Sequence, residues 1–138
     1  MDVFSKSKRS WIMSRIGSRP TRPEKIVESI LRDLRLNYQK ADRKLPGTPD
    51  FAFYRKKSVL FINGCFWHGH RGCKRFSWPK SNKPYWNAKI KNNKRRDRIV
   101  KLALTRLGWR HFTIWECEVS QVENIRFKIQ NFLHQSNQ

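Results

Sequence analysis

Cys65, His70, Cys73 and Cys117 are four soft or borderline donors, the kind of set that closes a tetrahedral zinc site. Their spacing is C-x4-H-x2-C followed by a distant Cys. The first three can meet across a tight loop, and Cys117, just after an apolar stretch, would staple that loop to a strand. The competing reading is a group of ordinary buried thiols, because there is no CxxC pair. Three cysteines cannot pair internally without leaving one over, and in a reducing compartment Cys beside His points more often to metal or catalysis than to a disulfide.

Asp97 interrupts an apolar helical stripe of Ile90, Val100 and Leu104. An unpaired carboxylate on such a face costs on the order of several kcal/mol, so it needs a cationic or hydrogen-bonding partner. His68 is one candidate, since a carboxylate on one imidazole nitrogen fixes the tautomer and leaves the other nitrogen as a general base. An ion pair with Lys94 or Lys101, three back and four on, fits the spacing equally well. Asp50 opens a strand after the turn Pro46-Gly47-Thr48-Pro49, which holds its carboxylate beside a sheet edge. Next to a polyanion, that position suits a Mg2+ ligand.

The polyanion is implied by charge. Of 138 residues, 31 are Lys or Arg and 10 are acidic, leaving +21. Such an excess points to nucleic acid. With 38% apolar residues, six Trp and nine Phe, the chain is no disordered basic tail. Between Lys74 and Lys101 eleven Lys or Arg and one acid are interleaved with Phe76, Trp78, Tyr85 and Trp86, and Lys94 and Arg95 stand in the densest run. Phosphates would relieve that repulsion; a merely solvated basic face is the alternative. The longest apolar stretch, Val59 to Ile62, is far short of the roughly 20 residues that span a bilayer, and the N-terminus has no signal-peptide core, so a cytoplasmic protein without a membrane partner is expected.

These residues need elements to position them. The length fits one domain, read as a basic N-terminal arm at 1–20 and a folded domain at 21–138. Thr21 and Glu24 fit a capping box that opens a helix over 22–35. A short strand near Tyr38 follows, then a hairpin of Phe51 and Phe53 with SVLFI across Arg55-Lys56-Lys57. The loop from Gly64 to Pro84 has no clean period. A long helix through Ile90, Asn93, Asp97, Val100, Leu104 and Leu107 ends before Gly108. Trp109 to Trp115 reads as a strand, and Ser120 with Glu123 as a second capping box before a last helix of Val122, Ile125, Ile129 and Phe132. The order α-β-β-β-α-β-α predicts an α/β fold, a central mixed sheet flanked by helices.

The motif Gly64-Cys65-Phe66-Trp67-His68, preceded by Pro46-Gly47-Thr48-Pro49-Asp50-Phe51 and followed by Trp115-Glu116-Cys117, resembles the very short patch repair endonuclease family from Arg9 to about Leu133. The resemblance implies a PD-(D/E)XK restriction-endonuclease-like fold with a structural zinc site. It also implies Mg2+-dependent nicking of double-stranded DNA, 5′ to the thymine of a T·G mismatch left by 5-methylcytosine deamination. By resemblance Asp50 and the backbone carbonyl of Ile62 correspond to the Mg2+ ligands, His68 to the catalytic histidine and Asp97 to the acid that orients it. Glu24 corresponds to a glutamate near the metal waters, and Cys65, His70, Cys73 and Cys117 to the zinc ligands. Phe66 and Trp67 correspond to aromatics that wedge beside the mismatch, with Met13 approaching from the opposite groove. A monomer is implied, with mismatch-repair proteins as further partners.

Three positions keep a second reading. Phe66 and Trp67 can pack in the core instead of wedging, Glu24 is explained by capping alone, and Asn63 stands where the family usually has an acid or His. An amide oxygen there can bind Mg2+ but brings no charge. Two other functions fit the same residues: a sequence-specific restriction or nicking endonuclease of this fold, and a non-catalytic zinc-stapled module that binds nucleic acid.

Overall fold

The computed structural model describes residues 21–134 apart from 71, 75, 76 and 78. The arm at 1–20 with Met13, and Phe76 and Trp78 of the basic stretch, lie outside the described residues. Helix α1 (Arg22–Asp33) starts where the Thr21 hydroxyl accepts the Glu24 N–H at 3.4 Å, and it buries Val27, Ile30 and Leu31. Strands β1 (Gln39–Lys40), β2 (Phe51–Phe53) and β3 (Ser58–Asn63) follow, then the long helix α2 (Lys83–Arg106), strand β4 (Arg110–Trp115) and helix α3 (Val122–His134).

The four strands form one sheet in the order β1-β2-β3-β4. β1, β2 and β3 pair antiparallel, and β3 pairs parallel with β4 from Ser58↔Arg110 to Asn63↔Trp115. A parallel pair needs a crossover, which α2 supplies. Helices α1 and α3 cover one face, where Phe51, Phe53, Leu60, Ile114, Ile125 and Ile129 are buried together with Val27 and Leu31. On the other face Ala52 and Val59 pack with Leu104 of α2. Cover on both faces explains why β2 is buried at all three residues despite its alternating sequence. Fully burying a side chain such as Leu60 contributes about 1.5–3 kcal/mol.

The mixed, helix-flanked sheet matches the expectation from sequence, with local differences. α1 stops at Asp33 instead of residue 35, and Arg35 has a φ of 56°. Tyr38 precedes β1; its ring meets Phe51 edge-on and its hydroxyl donates to Glu28. The second capping box does not form where the sequence placed it, because α3 begins at Val122. There the Ile125 N–H donates to the Gln121 carbonyl, and the Gln121 side chain accepts from Asn124. Leu107, read into the apolar stripe of α2, is exposed at the helix end. No helix among the described residues is long and apolar enough to cross a membrane.

Candidate active site and metal centre

Asp50 lies at the mouth of the β2–β3 hairpin, where its Oδ2 accepts the Ile62 N–H at 2.7 Å. In an extended strand the N–H and C=O of one residue point to the same side, so the Ile62 carbonyl faces the side on which Asp50 stands. Burial pushes the Asp50 carboxyl up to about 6, against the hydrogen bond from Ile62, and the nearby Glu24 carboxylate raises it further. Glu24 donates its backbone N–H to the Thr21 cap, and its side chain stands close enough to Asp50 to raise it. Two crowded carboxylates and a carbonyl form a set of hard oxygen donors that suits a divalent cation. Asn63, buried at the last rung of β3, lines the same cleft of about 380 Å³.

The cleft is completed by α2 and by the loop that leaves β3. His68 Nδ1 lies 2.6 Å from Asp97 Oδ2, and both side chains are partly exposed to the cleft. The carboxylate can only accept, so the Nδ1 proton is donated to it. Among the described residues no ion pair joins Asp97 to Lys94 or Lys101, so histidine is its partner. The loop docks on α2 at two further points. Asn93 Nδ2 donates to the Trp67 carbonyl at 2.8 Å, and Gly69, with a φ of +57°, sits so close that a Cβ would lie 2.5 Å from Lys94 Cε and 2.9 Å from Ile90 Cγ2. Only glycine meets both the left-handed backbone and the close approach.

Beyond His68 the same loop gathers Cys65, His70 and Cys73 with Cys117, and the four ligand atoms lie within 4.8 Å of one another. The edge of a tetrahedron with metal–ligand bonds of about 2.0–2.3 Å is roughly 3.5 Å, so the four donors fit one metal ion. The His70 N–H donates to the Cys65 carbonyl at 2.8 Å, and the His70 ring stacks on Trp115 with centroids 3.9 Å apart. Burial, with the neighbouring Cys117 and Cys73 thiols, pushes Cys65 up to about 12, and burial raises Cys117 too. Crowded thiols that resist ionisation on their own are what a bound dication would reverse.

Phe66 and Trp67 are half-buried but belong to neither core cluster among the described residues. They pack edge-on to each other and against Trp86 of α2, with centroids 5.4–5.7 Å apart. Lys89 Nζ lies 5.8 Å from the Trp67 ring. Lys94 runs along Gly69 and is half-buried, whereas Arg95 is exposed. Sequence reasoning missed Arg96 in the cleft, the Asn93 anchor and the Trp115 stack. Helical spacing held the signal for two of them, because 93, 96, 97 and 100 share one side of a helix.

A mixed sheet bearing a carboxylate pair, a His–Asp couple and a thiol-rich knot at one end, on a strongly basic chain, defines the class: an α/β protein with a Cys/His cluster that could hold a metal. Residues 1–75 match the DNA mismatch endonuclease Vsr family. A type II nicking enzyme of Xanthomonas oryzae pv. oryzae, V.XorIIP, is 40% identical over 135 residues, 98% of this chain and 98% of that enzyme. V.NmeAIP of Neisseria meningitidis, also a type II nicking enzyme, is 40% identical over 118 residues, covering 86% and 84%. The DNA mismatch endonuclease Vsr of Escherichia coli is 39% identical over 124 residues, covering 90% and 79%. The chain belongs to the Vsr family.

The raised Asp50 carboxyl has a consequence for stability. Its folded-state value of about 6 lies above the ordinary 3.8, so the group favours folding below about pH 4 and that contribution is lost as pH rises through 6. In EDTA at pH 7.5, Asp50→Asn is expected to be more stable than wild type by on the order of 2 kcal/mol. Thermal melts of both proteins check this, and a less stable variant would contradict it.

Proposed function

We propose that the chain is a DNA endonuclease of the PD-(D/E)XK type that nicks one strand 5′ to the thymine of a T·G mismatch, using Mg2+ and His68 as general base. The observation that carries the reading is the 2.6 Å His68–Asp97 couple in the same cleft as Asp50. It is supported by the printed activities of the relatives, a mismatch endonuclease and nicking enzymes. Held by Asp50 and the Ile62 carbonyl, with Glu24 beside its waters, Mg2+ would bring positive charge to a non-bridging oxygen of the scissile phosphate.

This chain's own residues do the rest. Asp97 holds the His68 imidazole with Nδ1 protonated, so Nε2 takes the proton as a water oxygen bonds to phosphorus. The P–O3′ bond breaks and the leaving 3′-oxygen takes a proton from solvent water, giving a 3′-hydroxyl upstream and a 5′-phosphate on the downstream product. Arg96, exposed along the cleft, can face the phosphate oxygens. Phe66 and Trp67, braced by Trp86, serve as wedge. Unstacking costs a few kcal/mol per step and less at a mismatch, so a wedge favours weakly paired DNA. Zinc on Cys65, His70, Cys73 and Cys117 would fix the loop that carries both the wedge and His68.

The deciding experiment is cleavage of T·G and fully paired duplexes in Mg2+. One nick 5′ to the mismatched thymine is expected; equal cutting of both duplexes would favour a sequence-specific nicking enzyme, and no cutting a binding module. His68→Ala should lower single-turnover cleavage by roughly 100 to 10,000-fold while mismatch binding stays within a few-fold. Metal analysis should find about one zinc per chain, and Cys73→Ala should lose it and melt at lower temperature. Trp67→Ala should cost about 1–3 kcal/mol of affinity for the mismatched duplex and little for the paired one, measured by anisotropy titration.

A further inference from the structure

Helix α2 is basic on two sides. Lys89 and Arg96 lie on the side of the aromatic cluster and cleft. At about 100° per residue, Lys83, Asn87 and Lys91 form a ridge on the opposite side. With Pro79 and Lys80 they line a separate hollow of about 380 Å³. Pro79 and Lys80 also border a neighbouring hollow of about 680 Å³ that contains Phe66 and Trp86. The two hollows are therefore adjacent, one aromatic and one basic.

Lys80, Lys83 and Lys91 are all exposed, and among the described residues no ion pair joins any of them to a carboxylate. Asp97, the one acid within α2, is already held by His68. The three ammonium groups around this hollow repel one another until an anion lies between them, and the Asn87 amide adds a neutral donor. Lysines offer only donors, and among the described residues no aromatic side chain lines this hollow, so it suits phosphate and not a base. Lys83 and Lys91 are about 12 Å apart along the helix axis, which matches roughly three nucleotide rises of one strand.

We infer that this hollow seats the phosphodiester backbone of the duplex flanking the nicked step, gripping the strand that has passed the wedge of Phe66 and Trp67. The inference rests on the DNA-nicking reading, and it places an anion-binding track outside the cleft.

The test compares two triple variants that remove the same charge. One is Lys80→Gln, Lys83→Gln and Lys91→Gln; the other is Arg35→Gln, Arg55→Gln and Lys56→Gln, in a hollow at the β1–β2 side of the sheet. Affinity for paired and T·G duplexes is titrated at several salt concentrations. Each lost phosphate contact lowers the slope of log affinity against log salt by about 0.9. The first variant should flatten the slope by about 2 to 3 on both duplexes and leave the mismatched-to-paired ratio unchanged, while the second keeps the wild-type slope. An unchanged slope in the first variant, or equal flattening in both, would overturn the assignment. Nicking by wild type is scored alongside, so a slope loss without nicking would count against the nuclease reading and not against the phosphate seat.

Discussion

The register of the parallel β3–β4 pair is the constraint on which the site depends. It ends at Asn63↔Trp115, so both strands leave the sheet at the same end. Cys65 and Cys117 each stand two residues beyond that rung, and the chain needs no long excursion to bring them together. The same rung carries Asn63 into the cleft and Trp115 under the His70 ring. A slip of one residue would invert the faces of β4, move Phe112 and Ile114 out of the core and separate the thiols. Core packing and the metal-type cluster therefore enforce one register between them.

The sheet sets the ends of the strands, but α2 sets the loop. Residues 64–70 form no helix or strand, and three contacts to one helix help hold them: Gly69 against Ile90, the Trp67 carbonyl on Asn93, and His68 on Asp97. They fall on successive turns of the helix, so a rigid rod aligns them. The arrangement also explains why a helix so rich in like charges forms at all. Its inward stripe is anchored by buried Ile90 and Leu104, which offset the repulsion between its basic sides.

Much of this was legible in the sequence, for definite reasons. Period 3.6 in Val27, Ile30 and Leu31, and the apolar run of β3, reflect burial, which sequence records directly. The four metal-type ligands were legible because their residue types have few other reasons to recur at that spacing. What sequence left open was pairing across the chain. Asp97 had equally good partners at three and four residues and at twenty-nine; tertiary docking of the loop decided for His68. The Phe66 and Trp67 rings, for which the sequence left a core reading open, join neither of the two core clusters among the described residues. The start of α3 lies one residue later than the Ser120 capping box implied, because Ser120 and Gln121 can both precede a helix and sequence alone does not choose between them.

Asn63 shows how closely charge is balanced in the cleft. Asp50 and Glu24 already repel enough, with burial, to carry the Asp50 carboxyl to about 6. A third carboxylate at the buried end of β3 would add a like charge where solvent cannot screen it, raising the cost of folding before any cation arrives. It would also repel the phosphate the cleft has to admit. An amide keeps oxygen-donor chemistry at that position and removes the charge, and the drawback is weaker attraction for a divalent ion. Arg96, along the same cleft, sets a cation on the other side of the balance. Charge around the cleft is thus divided between a cation on α2 and the carboxylate pair. With that division, the end of the sheet can hold acids at close quarters and still face a polyanion.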